Sequence, residues 1–114
     1  CLTAFTIQAD KSLTERRVWA PLPGVAPDGI CLNEKHQVWV ANAIGPEVVL
    51  VAEGGDIVER VATSQPCYAC MLGGRDGKTL FALTAASSDG KHSSAARTGK
   101  IETVQVLAAS AGWP

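Results

Sequence analysis

Charge is scarce in this sequence: Asp, Glu, Lys and Arg make up 18 % of its 114 residues, and the formal net charge is −1. Without a basic stripe nothing can neutralise a phosphate backbone, so nucleic acid is not an expected partner. Arg16 and Arg17 are adjacent but isolated, and read as part of a solvated face. Long apolar runs are missing too. The longest wholly aliphatic stretch, 48–52, falls far short of the ~18 to 20 residues of a membrane helix, and Gly54-Gly55 soon follows it. No membrane partner is expected. A helical period is also lacking, because no window of about 11 to 18 residues sustains one over its full length. The weakest assignment is 95–105, where a turn of helix fits. No secretory leader is visible, and the expected location is cytoplasmic. The first residue is Cys1 rather than Met and the chain opens directly on a strand pattern, so the expectation is a sequence that starts inside a longer protein. Trp113-Pro114, just after the last strand, fits a natural C-terminus.

What is present is apolar. Hydrophobic residues reach 46 %, enough to exclude disorder and to build one modest core. Short runs of Val, Ile, Thr, Leu and aromatics predict strands at 2–8, 15–20, 29–33, 37–42, 48–52, 57–62, 68–72, 80–85 and 100–107. Polar turns at 10–12, 33–36, 54–55 and 73–77 supply the positive-φ and side-chain-capped positions of hairpins. The fold class is all-β.

A faint repeat selects among all-β folds. Pro27-Asp28-Gly29-Ile30-Cys31-Leu32 leads through a polar turn to Val38-Trp39-Val40-Ala41. Pro66-Cys67-Tyr68-Ala69-Cys70-Met71 leads through a longer turn to Leu80-Phe81-Ala82-Leu83. The prolines are 39 positions apart (66 − 27 = 39), and so are Cys31 and Cys70 (70 − 31 = 39). A period near ~40 with four strands per unit marks a propeller blade. The expected architecture is part of a β-propeller, about two and a quarter four-stranded antiparallel blades: 1–20 ends one blade, 27–62 is complete, and 66–107 is a last blade lacking one strand. Such a piece cannot close a ring of at least ~4 blades, and its exposed sheet edges are expected to favour self-association.

The ordered set from Pro27-Asp28-Gly29 to Val38-Trp39-Val40-Ala41 resembles the penultimate-blade motif of the SMP-30/gluconolactonase/luciferin-regenerating family. Thr63-Ser64-Gln65-Pro66-Cys67-Tyr68-Ala69-Cys70-Met71-Leu72-Gly73-Gly74 and Thr79-Leu80-Phe81-Ala82-Leu83-Thr84 look like its final blade. The resemblance implies a six-bladed propeller with a divalent cation at the mouth of its central channel (Ca2+ or Zn2+, with Mg2+ and Mn2+ as further candidates). It also implies a hydrolase, a lactonase that opens the ester of a lactone or sugar-acid substrate. Of the family's metal ligands only the Asp of Pro-Asp-Gly maps here, on Asp28; the Glu and Asn partners would lie upstream of Cys1. The fragment is therefore expected to be inactive alone. A non-catalytic propeller for ligand binding or protein contacts is the alternative.

Asp28 carries the chemistry in this reading, as metal ligand and as catalytic residue. A hard cation prefers oxygen donors, and a carboxylate beside a metal-bound water can also serve as general base. Taken without that context, Asp28 reads as a cap on a turn. Pairing Leu32 with Gln37 would set Asp28 opposite Ala41, and Asn42 at the same end of the blade. Asn42 then reads either as a pocket residue or as a turn cap. Cys67 holds the repeat position of Asp28, and reads as channel-lining or as a small buried side chain. The 86–98 segment, with Ser87, Ser88, Asp89, His92, Ser93 and Ser94, reads as a substrate-side lid or a plain surface loop.

The four cysteines, Cys1, Cys31, Cys67 and Cys70, form no secreted disulfide framework and are expected to be reduced. Cys67-x-x-Cys70 lacks a second Cys/His pair for zinc, and no helix follows it as in a redox motif. A redox module would predict a Cys67–Cys70 disulfide. On an ideal strand, however, these residues point to opposite faces. His36 and His92 fall in turns or loops, and Gly73-Gly74 lacks the strand-to-helix setting of a phosphate loop.

Overall fold

The computed structural model describes residues 1–112; Trp113-Pro114, and with them the proposed C-terminal signal, lie outside the described residues. Nine strands follow the chain: β1 (Leu2–Ile7), β2 (Leu13–Ala20), β3 (Pro27–Leu32), β4 (Val38–Asn42), β5 (Glu47–Val51), β6 (Ile57–Ala62), β7 (Cys67–Gly73), β8 (Thr79–Thr84) and β9 (Lys100–Gln105). They form three antiparallel sheets in sequential order, β1-β2, β3-β4-β5-β6 and β7-β8-β9. No sheet closes on itself among the described residues. The all-β expectation holds with one addition, a helix α1 (Gly90–Ala96) inside the 86–98 segment. Asp89 nucleates it by accepting the backbone N–H groups of Lys91 and His92. At seven residues it is too short to show a period, which is why the sequence conceals it.

Period-2 alternation builds the stack. Val38 and Val40 on β4, with Val49 and Val51 on β5, pack towards Leu2 and Ala20 of the first sheet and Leu22 and Val25 of the connection that follows it. Trp39, Ala41, Val48 and Leu50 point the other way, onto Cys67, Cys70, Leu72, Leu80 and Ala82 of the last sheet. The middle sheet is therefore apolar on both faces, and all five residues of β4 are buried. This is the pattern of a layer between layers.

The outer layers are incompletely covered. The two-stranded first sheet reaches β4 and β5 but leaves β3 bare, so Ile30 and Leu32 are 48 % and 50 % exposed. Both share a face with Val40 and Val38, their register partners. On the far side of the last sheet, Met71, Leu83 and Ile101 are exposed. At the end of the chain, a short tail turns back from β9 towards the middle sheet. There Glu34 N donates to Ala109 O, Ala111 N donates to Leu32 O, and Ser110 bridges to Asn33.

Two details of register differ from the sequence expectation. Leu32 pairs with Val38 rather than Gln37, because Asn33 accepts the N–H groups of both Lys35 and Gln37 and draws Gln37 into the turn. A bulge between Pro27 and Ile30 then absorbs one residue of β3, and Pro27 pairs with Asn42. The two departures offset each other, so Asp28 and Asn42 do stand at the same end of the sheet.

Candidate functional site

The start of β3 and the start of β7 meet at one end of the two inner strands. Gly29 makes the meeting possible. A Cβ added there would lie 2.6 Å from Ala69 Cα and 3.1 Å from the Tyr68 carbonyl oxygen, so only hydrogen fits between the two backbones. Asp28, next to it, is exposed. It belongs to neither of the two ion pairs among the described residues, Arg17–Glu53 and Arg60–Glu47.

Cys67 lies at the start of β7, fully buried, with Sγ 3.3 Å from the Ala69 carbonyl and 3.6 Å from that of Leu83. Burial pushes its thiol above the ordinary value, backbone hydrogen bonds at Ala69 and Leu83 offset part of that, and the charges of Glu102 and Asp28 add to it. It stays a protonated thiol at neutral pH. A second bulge, between Cys67 and Ala69, lets Cys67 and Cys70 face the same core, against the expectation of opposite faces. All four cysteines are free, and Cys70 touches Cys31 rather than Cys67.

Asn42 is buried and its amide is engaged. Its Oδ1 accepts from Ala26 N at 3.1 Å and Ile44 N at 3.3 Å, while Nδ2 donates to Glu47 Oε1 at 3.0 Å. The bond to Ala26 holds the backbone just ahead of Pro27 and Asp28. Gly45 leaves space for this amide, since a Cβ there would come within 2.7 Å of Nδ2. Asn42→Ala leaves two backbone donors unpaired, and we expect it to lower stability by about 2 kcal/mol, read from urea unfolding. Asn42→Asp keeps the acceptor but sets a carboxylate against Glu47, and is expected to be no more stable than Asn42→Ala.

A polar network missed by sequence reasoning joins the segment 63–66 to the last sheet. Glu102 accepts from Ser64 N, Ser64 Oγ and Thr84 Oγ1, and Gln65 Nε2 donates to Thr84 Oγ1 and to the Thr98 carbonyl. No local motif announces it, because Ser64 and Glu102 are 38 positions apart. The Thr84 and Ser64 bonds hold the Glu102 carboxyl below its ordinary value. Glu47 is lowered likewise, first by the Arg60 hydrogen bond, with burial opposing. Their folded pKa values lie below the unfolded ones, so their stabilisation is complete above the ordinary value of 4.5 and is lost as pH falls through the folded values. The melting temperature of Glu47→Gln is accordingly expected to fall less than that of the parent between about pH 6 and about pH 3.

Among the described residues, no group of three or more His, Cys, Asp or Glu side chains is placed to hold a metal ion. An exposed carboxylate with no ion pair among the described residues, Asp28 has the chemistry of a single hard-oxygen donor and does not make a cation site by itself. No helix among the described residues is long and apolar enough to cross a membrane. The 86–98 segment carries α1 and is anchored by Thr98 Oγ1, which accepts Ala86 N, and by Ser93 Oγ, which donates to the Ser87 carbonyl.

Antiparallel sheets stacked face on face, with consecutive strands pairing within each sheet, define a β-propeller-like chain. The chain belongs to the family described as SMP-30/Gluconolactonase/LRE-like region, whose sequence model matches residues 1–86. A solved structure of a luciferin-regenerating enzyme has the same fold, with a TM-score of 0.77 at 19 % identity. The match covers 95 % of this chain and 39 % of that one, so the chain spans well under half of its relative's length. No curated protein sequence matches the chain.

Proposed function

We propose that these 114 residues are the C-terminal part of a six-bladed, divalent-cation-dependent lactone hydrolase, inactive when separated from the remaining blades. The observation that carries the reading is the Gly29–Ala69 contact, which sets the exposed Asp28 carboxylate at the meeting of two inner strands. Family membership supports the gluconolactonase-like propeller, and the incomplete span of the solved relative supports further blades. On this reading 1–20, 27–62 and 66–107 are the end of one blade, a complete blade and a last blade short of one strand.

Asp28 holds one corner of the cation, and the other ligands come from strands outside these residues. The bound cation would polarise the lactone carbonyl and acidify a water. The Asp28 carboxylate sets the cation's position and can accept a proton from an adjacent water. Asn42 fixes the backbone that carries Asp28, and Cys67, a neutral buried thiol, packs the sheet contact beside it. Ile30 and Leu32, bare here, are covered by inner strands of the preceding blade.

The test is hydrolysis of a panel of sugar and aliphatic lactones by the complete polypeptide, with and without chelator. Chelator-sensitive opening of at least one lactone is expected, together with its absence in the isolated 114 residues. Chelator-insensitive turnover, or none on any lactone, would leave the non-catalytic propeller as the reading.

A further inference from the structure

Cys31 on β3 and Cys70 on β7 are 39 positions apart in sequence, and their sulfur atoms are 4.0 Å apart across the sheet–sheet contact. Both are buried free thiols. The backbones that carry them are pressed together two residues away on β3, where Gly29 meets Ala69, and Cys70 Sγ lies 3.5 Å from the Gly29 carbonyl. We infer that Cys31 and Cys70 are a reversible oxidative-modification site, which a peroxide converts into a disulfide tying one sheet to the next.

Three features support it. The sulfurs are already at van der Waals contact, so side-chain rotation has only to bring them to the ~2.05 Å of a disulfide. Cys31 has a route to small oxidants, because it lines a cavity of about 380 Å3 with Ile30, Leu32, Met71 and the 110–112 tail. The two thiols are also unequal in access. Cys31 lines that cavity, while Cys70 Sγ is turned to the Gly29 and Trp39 carbonyls within the sheet contact. Cys31 is thus the attacking sulfur and Cys70 the resolving one.

The chemistry balances with hydrogen peroxide as oxidant. Cys31 thiolate attacks one peroxide oxygen; an S–O bond forms, the O–O bond breaks, and the departing hydroxide takes up a proton as water. Cys70 sulfur then attacks Cys31 sulfur; the S–S bond forms, the S–O bond breaks, and a second water leaves with the Cys70 proton. Two thiols lose two electrons and the peroxide gains them. Cys67 stands outside this pair, its sulfur turned to the Ala69 and Leu83 carbonyls.

The test is peptide mapping of the folded chain by mass spectrometry, without reductant, after titration with hydrogen peroxide. We expect a Cys31–Cys70 cross-linked peptide about 2 Da lighter than the sum of its parts, lost on adding dithiothreitol. A melting temperature raised by about 10 °C is expected in the oxidised form. Cys67→Ser should retain both signals and Cys31→Ala should lose both. If Cys31→Ala does not fold, the parent's peptide map decides alone. A Cys67–Cys70 cross-link, separate sulfinic acids at Cys31 and Cys70, or thiols that survive doses oxidising the exposed Cys1 would each overturn the inference.

Discussion

Replacing Gly29 by alanine is expected to lower the chain's stability by about 3 kcal/mol. The reason is what the new carbon meets. Its nearest neighbour is backbone, Ala69 Cα at 2.6 Å, and backbone in a paired strand cannot rotate aside. β3 would have to move away from β7, and the movement would loosen the layer of Cys31, Trp39, Cys70 and Leu72 behind it. Gly90, with nothing within 4 Å of an added Cβ, is the control. Gly90→Ala should change stability by no more than about 0.5 kcal/mol. Urea midpoints of the two variants make the comparison, and equal midpoints would mean that the contact between the inner strands is not tight.

Asp28→Asn in the complete polypeptide is expected to reduce lactone turnover by about 100-fold or more while leaving the melting temperature within a few degrees of the parent. The substitution keeps the shape and one oxygen donor but removes the charge that a divalent ion requires. Asp28 is exposed and forms no ion pair among the described residues, so folding has little to lose. Asn42→Ala should show the opposite split, a marked loss of stability with a smaller effect on turnover. The pairing of these outcomes separates a ligand from a residue that positions one.

Much of this was legible in the sequence because it is local or periodic. The strand runs, the matched Pro27 and Pro66 segments and the alternation in Val38-Trp39-Val40-Ala41 identify the sheets and their two-sided burial before any coordinates. The turn at Asn33 was legible as a turn but not in its length. Its register depends on where one amide oxygen binds, and period-2 alternation does not encode that. The bulges at Pro27–Ile30 and Cys67–Ala69 were hidden for the same reason. They decide which side chains share a face, and the second puts Cys67 and Cys70 in one core where an ideal strand would separate them. The repeat of 39 did not announce the contact of Cys70 with Cys31: equivalent positions in stacked sheets point the same way, and a one-residue difference in register, Cys31 opposite Trp39 but Cys70 opposite Ala82, turns the two sulfurs towards each other. Asp28 was singled out through family resemblance, and its closeness to β7 became visible only through Gly29. The Glu102 network and the returning tail depend on pairings distant in sequence, which no local pattern reports.

The reading depends most on Asp28 being a cation ligand, and calorimetric titration of the complete polypeptide with Ca2+, Zn2+, Mg2+ and Mn2+ addresses it without knowledge of the substrate. One tight site is predicted for at least one of these ions, with affinity about 100-fold weaker in Asp28→Ala. Unchanged affinity in that variant would contradict the assignment of Asp28, whatever reaction the protein performs.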